Sequence, residues 1–227
     1  LKLVFVSRSF AEDVMEDLGF RIPEDHYSII HNPINTDLFS YQEKPVGQRK
    51  KILSIRPYAS RIYANDLTVK AILELSKKPY FHDLDFRLIG DGKLFEETLA
   101  PLRQFSNVYT EQRFLTQGEI ATLHKEYGIF LCPSRMDTQG VSRDEAMSSG
   151  LVPLTNAVAA IPEFVDDACG ILVDGEDASG IAQGIADLYE NPENFRAMSQ
   201  AASLRVRQQS DFFKIINLEL STISAIT

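Results

Sequence analysis

No stretch of this 227-residue sequence stays apolar long enough to cross a bilayer, and basic residues are the minority, 23 Lys and Arg against 32 Asp and Glu. The first absence excludes a spanning helix, which needs about 20 consecutive apolar residues. The second leaves a net charge of −9 and argues against nucleic acid or an anionic membrane as a general partner, since both bind through basic clusters that neutralise phosphate. Local basic pockets stay open. Cysteine is scarce: Cys132 and Cys169 are the two present, each in or beside a short apolar run, which predicts buried free thiols rather than a disulfide or a metal site. His26, His31, His82 and His124 show no ligand spacing with one another or with cysteine, so no structural metal is expected. Residues 1–6 are too short an apolar stretch for a secretory signal, with Arg8 following at once; a cytoplasmic location is the expectation. A first residue of Leu rather than Met predicts a fragment or a processed chain. Repeats and low-complexity tracts are also missing.

What is present is an ordinary globular share of apolar residues, 44%, arranged in short runs with helical patterns between them. The runs fall at 52–55, 86–89, 107–109, 129–132, 152–154 and 170–173, which predicts six strands. Between them Leu67, Ala71, Ile72 and Leu75 share one helical face, and Ile181, Ile185 and Leu188 share another. Strand and helix alternating in this way predict an α/β fold, a doubly wound parallel sheet of Rossmann-like type with right-handed crossovers. Ligands bind such sheets beyond the carboxyl ends of the strands. Three regions follow. Residues 1–49 read as strand (3–6), helix (10–18), strand (27–31), a turn at Asn32-Pro33-Ile34-Asn35 and a polar linker at 41–49. Residues 50–209 are the α/β block, closing with helices 177–188 and 193–208. Residues 210–227 carry an amphipathic helix, 212–226, that needs an apolar partner.

The most informative segment runs from Pro133 to Met147. A buried strand enters a turn at Gly140 and then a helix, which aims the free N–H groups of Gly140, Val141 and Ser142, with the helix dipole behind them, at whatever lies above the strand end. An anion is favoured there, phosphate foremost. Asp137 and Glu145 bracket the turn and each can accept hydrogen bonds from paired sugar hydroxyls, so together they suggest a sugar nucleotide. Ser142 and Glu145 also fit a capping box, and Asp137 fits a solvated loop acid; spacing alone does not choose. Arg56, at the end of the first strand of the block, and Arg61 could grip a diphosphate in forked fashion, or be two solvated loop arginines. Gly90-Asp91-Gly92 makes a tight turn, but Phe95 stands where a dinucleotide fingerprint needs glycine. Arg113-Phe114-Leu115 precedes a second capping box, Thr116 and Glu119. A base could rest against this loop through backbone atoms, with Phe114 and Leu115 expected in the core. Ile161-Pro162-Glu163 reads as a helix start without chemistry.

In these residues the sequence resembles the nucleotide-sugar-binding, C-terminal half of the retaining glycosyltransferases of family four, which have the GT-B fold. The resemblance covers roughly residues 50–209, and residues 1–40 look like the last elements of that family's N-terminal domain leading into the hinge. Arg56 and Arg61 match the arginine and lysine that hold the donor diphosphate, with arginine in the second place. Asp137, Gly140, Glu145, Ala146, Met147 and Gly150 match the family's E-x7-E signature, with aspartate as the first acid. Ile55 stands for the usual glycine before the first arginine, and Thr138-Gln139 for the usual Gly-Phe; both point to an unusual donor sugar or a divergent subgroup.

The resemblance implies retaining transfer of a sugar from a nucleoside diphosphate donor to an acceptor hydroxyl, in polysaccharide or glycolipid synthesis. It implies Arg56, Arg61 and the Gly140–Ser142 amides on the leaving diphosphate, Glu145 on the ribose, Asp137 on the sugar ring, and no cofactor or metal. The implied partners are the sugar nucleotide, an acceptor glycan or lipid-linked glycan, and an N-terminal domain against which helix 212–226 packs. Attachment at the inner membrane surface would come only through that domain. Without it the fragment is expected to bind nucleotide and catalyse poorly. Two other classes remain: a non-catalytic nucleotide-sugar-binding or regulatory module, motivated by Asp137 and Ile55, and a related nucleotide-sugar epimerase or phosphorolytic enzyme.

Overall fold

The computed structural model describes residues 2–224. Two sheets form. The smaller pairs β1 (Leu3–Phe5) in parallel with β2 (Tyr27–Ile29) across helix α1 (Arg8–Leu18). The larger is built from β3 (Lys51–Ile55), β4 (Asp85–Gly90), β5 (Val108–Gln112), β6 (Ile129–Leu131), β7 (Val152–Asn156) and β8 (Ile171–Val173), all parallel, in the order β5-β4-β3-β6-β7-β8. The connecting helices are α2 (Asn65–Leu75), α3 (Phe95–Leu99), α4 (Gln117–Glu126), α5 (Val141–Ser148) and α6 (Ile161–Phe164), followed by α7 (Ala178–Glu190), α8 (Pro192–Gln209) and α9 (Phe212–Ser224). The chain works outward from β3 to β5 and then returns to lay β6 on the other side of β3. That reversal opens a crevice beyond the carboxyl ends of β3 and β6, where a doubly wound sheet places its ligand.

Burial explains the sequence pattern. The middle strands β6 and β7 are covered on both faces, so every residue in them is buried and they read as continuous apolar runs rather than alternating ones. On one face of the sheet Ile72 and Leu75 of α2 meet Ile181, Ile185 and Leu188 of α7 and Phe195 of α8. On the other, Leu53, Ile89 and Phe130 meet Leu123 and Ala146. Each such side chain contributes about 1.5–3 kcal/mol through removal from water. Helix ends follow their local chemistry: the Ser7 hydroxyl accepts from Phe10 N at 3.2 Å, Gly19 closes α1 at φ 72°, and the Asp177 carboxylate accepts from Gly180 N at 2.8 Å. The expected capping box at Thr116 and Glu119 forms at the start of α4.

One expectation needs revision. The stretch 41–49 is not a free linker. Lys44 is buried and donates to the His124 carbonyl, the Tyr41 ring lies against Gly150, and residues 46–50 form a 3-10 turn. Polar composition misled here because the lysine charge is buried with only main-chain company. The final helix is present over Phe212–Ser224; positions 225 and 226 of the expected span lie outside the described residues.

Candidate functional site

The β6–α5 turn is built by Gly140, which caps the helix at φ 88°. That left-handed conformation favours glycine through backbone strain, and a Cβ there would also press on the Arg143 guanidinium, 2.7 Å from its Nη1. The first main-chain bond of the helix runs from Asp144 N to Gly140 O at 3.0 Å. The N–H groups of Val141, Ser142 and Arg143 therefore precede it and are orphan donors at the positive end of the dipole. The capping-box alternative is corrected: Ser142 is the second residue inside the helix, no side chain caps it, and the Glu145 carboxylate does not reach back. Among the described residues no donor meets that carboxylate, although Glu145 is 9% exposed. Burial, and then the neighbouring Asp144, push it up to about 7.

Arg56 leaves β3 directly into the crevice. It is 6% exposed, its Nη2 lies 3.4 Å from the Pro133 carbonyl, its guanidinium stands 5.2 Å over the Tyr63 ring, and its Nε has no partner. No carboxylate pairs with it among the described residues. A buried cation with most of its donors unspent is costly unless an anion completes it. Burial pushes the Cys132 thiol at the end of β6 up to about 11, with Arg56 and Arg143 opposing that rise. Asp137 folds toward its own turn, its Oδ1 accepting from Gln139 N at 3.1 Å, while its carbonyl accepts from Ala160 N at 3.2 Å.

Gly90 and Gly92 serve this corner as spacers. A Cβ on Gly90 would fall 1.8 Å from the Arg56 carbonyl, and one on Gly92 2.3 Å from Tyr58 C. Their turn is therefore pressed against the loop that carries Arg56, and the close backbone approach is to the chain itself.

Arg61 makes no side-chain hydrogen bond or ion pair among the described residues. Its side chain is exposed and lines a cleft of about 420 Å³ between α2 and α3, with Asp66, Lys70 and Glu97 on its walls. The Arg113 side chain belongs to a surface ion network, its Nε bonded to Glu111 at 2.5 Å and its Nη1 to Glu119 at 2.6 Å. Phe114 is 79% exposed rather than in the core, because β5 is an edge strand whose loop leaves the sheet. Leu115 does pack on the Leu53–Ile89 cluster. The backbone of Phe114 and Leu115 has no hydrogen bond among the described residues.

Two residues that sequence reasoning passed over, Arg135 and Arg143, brace the loops around the site, and a third, Glu163, ties α1 to the large sheet away from it. Arg135 donates to both oxygens of Asp66 at 2.8 and 2.9 Å, to the Arg61 carbonyl at 2.6 Å and to Glu176, pinning the loops after β3, β6 and β8 together. Arg143 lies under the glycine turn, 2% exposed, bonded to the Gln139 carbonyl and to Asp144 Oδ1 at 2.8 Å. Glu163 accepts from Arg8 N at 3.0 Å and Ser9 N at 2.6 Å, so it neutralises the N-terminus of α1; its partners lie 154 and more residues away, which no local motif reveals.

Comparison with known proteins gives a consistent picture. The family described as glycosyl transferases group 1 matches residues 49–191. No curated protein matches the chain in sequence. Among solved structures, a glycosyltransferase from Rickettsia africae superposes with a TM-score of 0.81 at 17% identity, over 99% of this chain and 63% of that one. Anabaena HepE in complex with UDP-glucose gives 0.81 at 15% identity, over 99% and 64%. S. aureus TarM, in complex with UDP among other ligands, gives 0.79 at 15%, over 97% and 43%. The chain thus spans less than two thirds of the length of these relatives, and at such identities the likeness establishes the fold, that of the GT-B glycosyltransferases.

Proposed function

The chain belongs to the glycosyl transferases group 1 family, and on that premise we propose that the crevice beyond β3 and β6 binds a nucleoside diphosphate sugar for retaining transfer to an acceptor hydroxyl. The observation that carries this reading is Arg56, a buried guanidinium without a carboxylate among the described residues, which follows β3 while the neighbouring strand β6 leads into a glycine turn with three orphan amides. That combination fits a diphosphate. Charge growing on the departing diphosphate meets donors already in place, and one such donor is worth roughly 2.7–4 kcal/mol of barrier. These groups supply positive charge from the protein itself, and the donor sugar nucleotide needs no further cofactor.

Glu145 would take the ribose hydroxyls, Asp137 the donor sugar, and the Phe114–Leu115 backbone the base. Arg61 would join only by swinging from the α2–α3 cleft toward the diphosphate. The leaving phosphate would help to deprotonate the acceptor. We assign residues 50–209 to donor binding and residues 1–49 to the end of an N-terminal domain that carries the acceptor site. Helix α9 would pack toward the same domain. UDP in two of the superposed structures favours a uridine nucleotide, and assembly of a polysaccharide or glycolipid is the setting we infer. Reacting groups misplaced by about 1 Å can cost roughly 100-fold, so transfer depends on that domain closing over the donor.

The test is calorimetric titration of the 227-residue protein with UDP, GDP, dTDP and ADP. One nucleotide should bind, with Arg56→Gln weakening it about tenfold, as expected for a charged hydrogen bond. A folded protein that binds none of the four removes the proposal.

A further inference from the structure

Gln139 is 1% exposed, and its amide is spent on two elements at once. Its Oε1 accepts from Asn32 N at 2.6 Å, while its Nε2 donates to Asn32 O at 3.1 Å and to Asp144 Oδ2 at 3.2 Å. A side-chain amide that engages both the N–H and the C=O of one residue pairs with it as a neighbouring strand would, with orientation as well as distance fixed. Its own main chain is held too, the carbonyl by Arg143 and the N–H by Asp137. Asn32 lies three residues beyond β2, in the segment that joins the βαβ unit to the large sheet. Gln139 immediately precedes Gly140.

We propose that Gln139 is a positioning residue that couples the glycine turn to the joining segment, so that the setting of the N-terminal unit and the nucleotide-binding geometry of the turn bias one another. The inference rests on the reading of that turn as the diphosphate site and adds its regulation. Because Asp144 supplies the first bond of α5 and also receives the Gln139 amide, a shift of Asn32 is passed to the helix end where the orphan amides lie. Coupling of this kind is reciprocal: if the clasp favours binding, binding must tighten the clasp.

The experiment is amide hydrogen exchange at Asn32 with and without saturating UDP, together with UDP titrations of wild type, Gln139→Met and Glu163→Gln. Met fills the space of Gln without its hydrogen bonds, and Glu163→Gln loosens α1 without touching the turn. The expected result is exchange at Asn32 slowed at least about fivefold by UDP in the wild type, the lower end of ordinary coupling. Gln139→Met should weaken UDP by a similar factor and lose the slowing, whereas Glu163→Gln should bind within about twofold of wild type. Unchanged Asn32 exchange in a wild type that binds UDP overturns the proposal, even if Gln139→Met fails to fold. So does equal loss of affinity in Glu163→Gln, which would mark general loosening. A wild type that binds no nucleotide brings down the reading of the site itself, and this inference with it.

Discussion

At the scale of single residues the site is organised by unmet charge. Among the described residues Arg56 lacks an anion and Glu145 lacks a donor, and each is buried enough for that lack to matter. Glu145 has a further consequence for pH. Its folded-state pKa, about 7, lies above the value of 4.5 for a free carboxyl, so the folded protein holds this proton longer than the unfolded chain. Stability therefore falls as pH rises from about 4.5 to 7, and the penalty is fully present above that window. Glu145→Gln should raise stability at pH 8 by about 1–2 kcal/mol and change nothing at pH 4.5, as urea melts at the two values would read. Binding has the opposite sign, because the ribose hydroxyls need the carboxylate as acceptor. Affinity for UDP-glucose, whose diphosphate does not titrate in this range, should tighten about tenfold from pH 6 to pH 8 in the wild type and stay flat in Glu145→Gln. A flat wild-type profile would take Glu145 out of the ribose contact.

At the scale of elements the decisive piece is the eight-residue helix α5 with its glycine entry. Gly140→Ala places a methyl group against the Arg143 guanidinium while demanding a positive φ, and should cost about 1–3 kcal/mol with loss of nucleotide binding. Gly175→Ala, where the nearest atom is an ordinary 3.6 Å away, is the matched control and should leave the urea midpoint in place. A midpoint shared by both variants would mean that the turn tolerates a side chain. This element could be read from the sequence, since a short apolar run, a glycine and a helical pattern each have local causes. So could the strands of the large sheet, because burial on both faces turns β6 and β7 into unbroken apolar runs. What stayed hidden depends on partners far away in the chain. Gln139 finds Asn32 across 107 positions and Arg135 finds Asp66 across 69, and nothing near either residue announces the pairing. Phe114 was hidden for another reason: an aromatic at a strand end reads as core unless the strand is known to be at an edge.

At the scale of the whole molecule the apolar surface is uneven. Phe213, Leu218, Leu220 and Ile223 of α9 are exposed, as are Leu3 and Val4 of β1, and an isolated two-stranded sheet is a marginal structure by itself. The segments they belong to are tied: Ile34 N donates to Ser210 O at 2.7 Å, Phe212 N to Ile34 O at 3.0 Å, and Thr36 Oγ1 to Asp211 Oδ2 at 2.6 Å. Apolar area of this kind drives association when nothing covers it. The 227-residue chain should self-associate with rising concentration in analytical ultracentrifugation, and Leu218→Lys with Ile223→Lys should abolish it without altering UDP affinity. Sedimentation of the wild type as a monomer at all concentrations would count against an interface there.

The family match begins at residue 49, but the packing of this unit begins earlier. Ile34 and Phe39 are each 1% exposed, and Ser148 in α5 donates to the Phe39 carbonyl at 2.7 Å. Lys44 fills a slot beside His124, its ammonium pushed down to about 8 by burial. A clone trimmed to the matched region would strip this belt from α5, leaving bare hydrocarbon and an open hydroxyl at Ser148, the C-terminal end of that helix. The sensible place to cut is upstream of Asn32, where the smaller sheet ends and the wrapping strap begins.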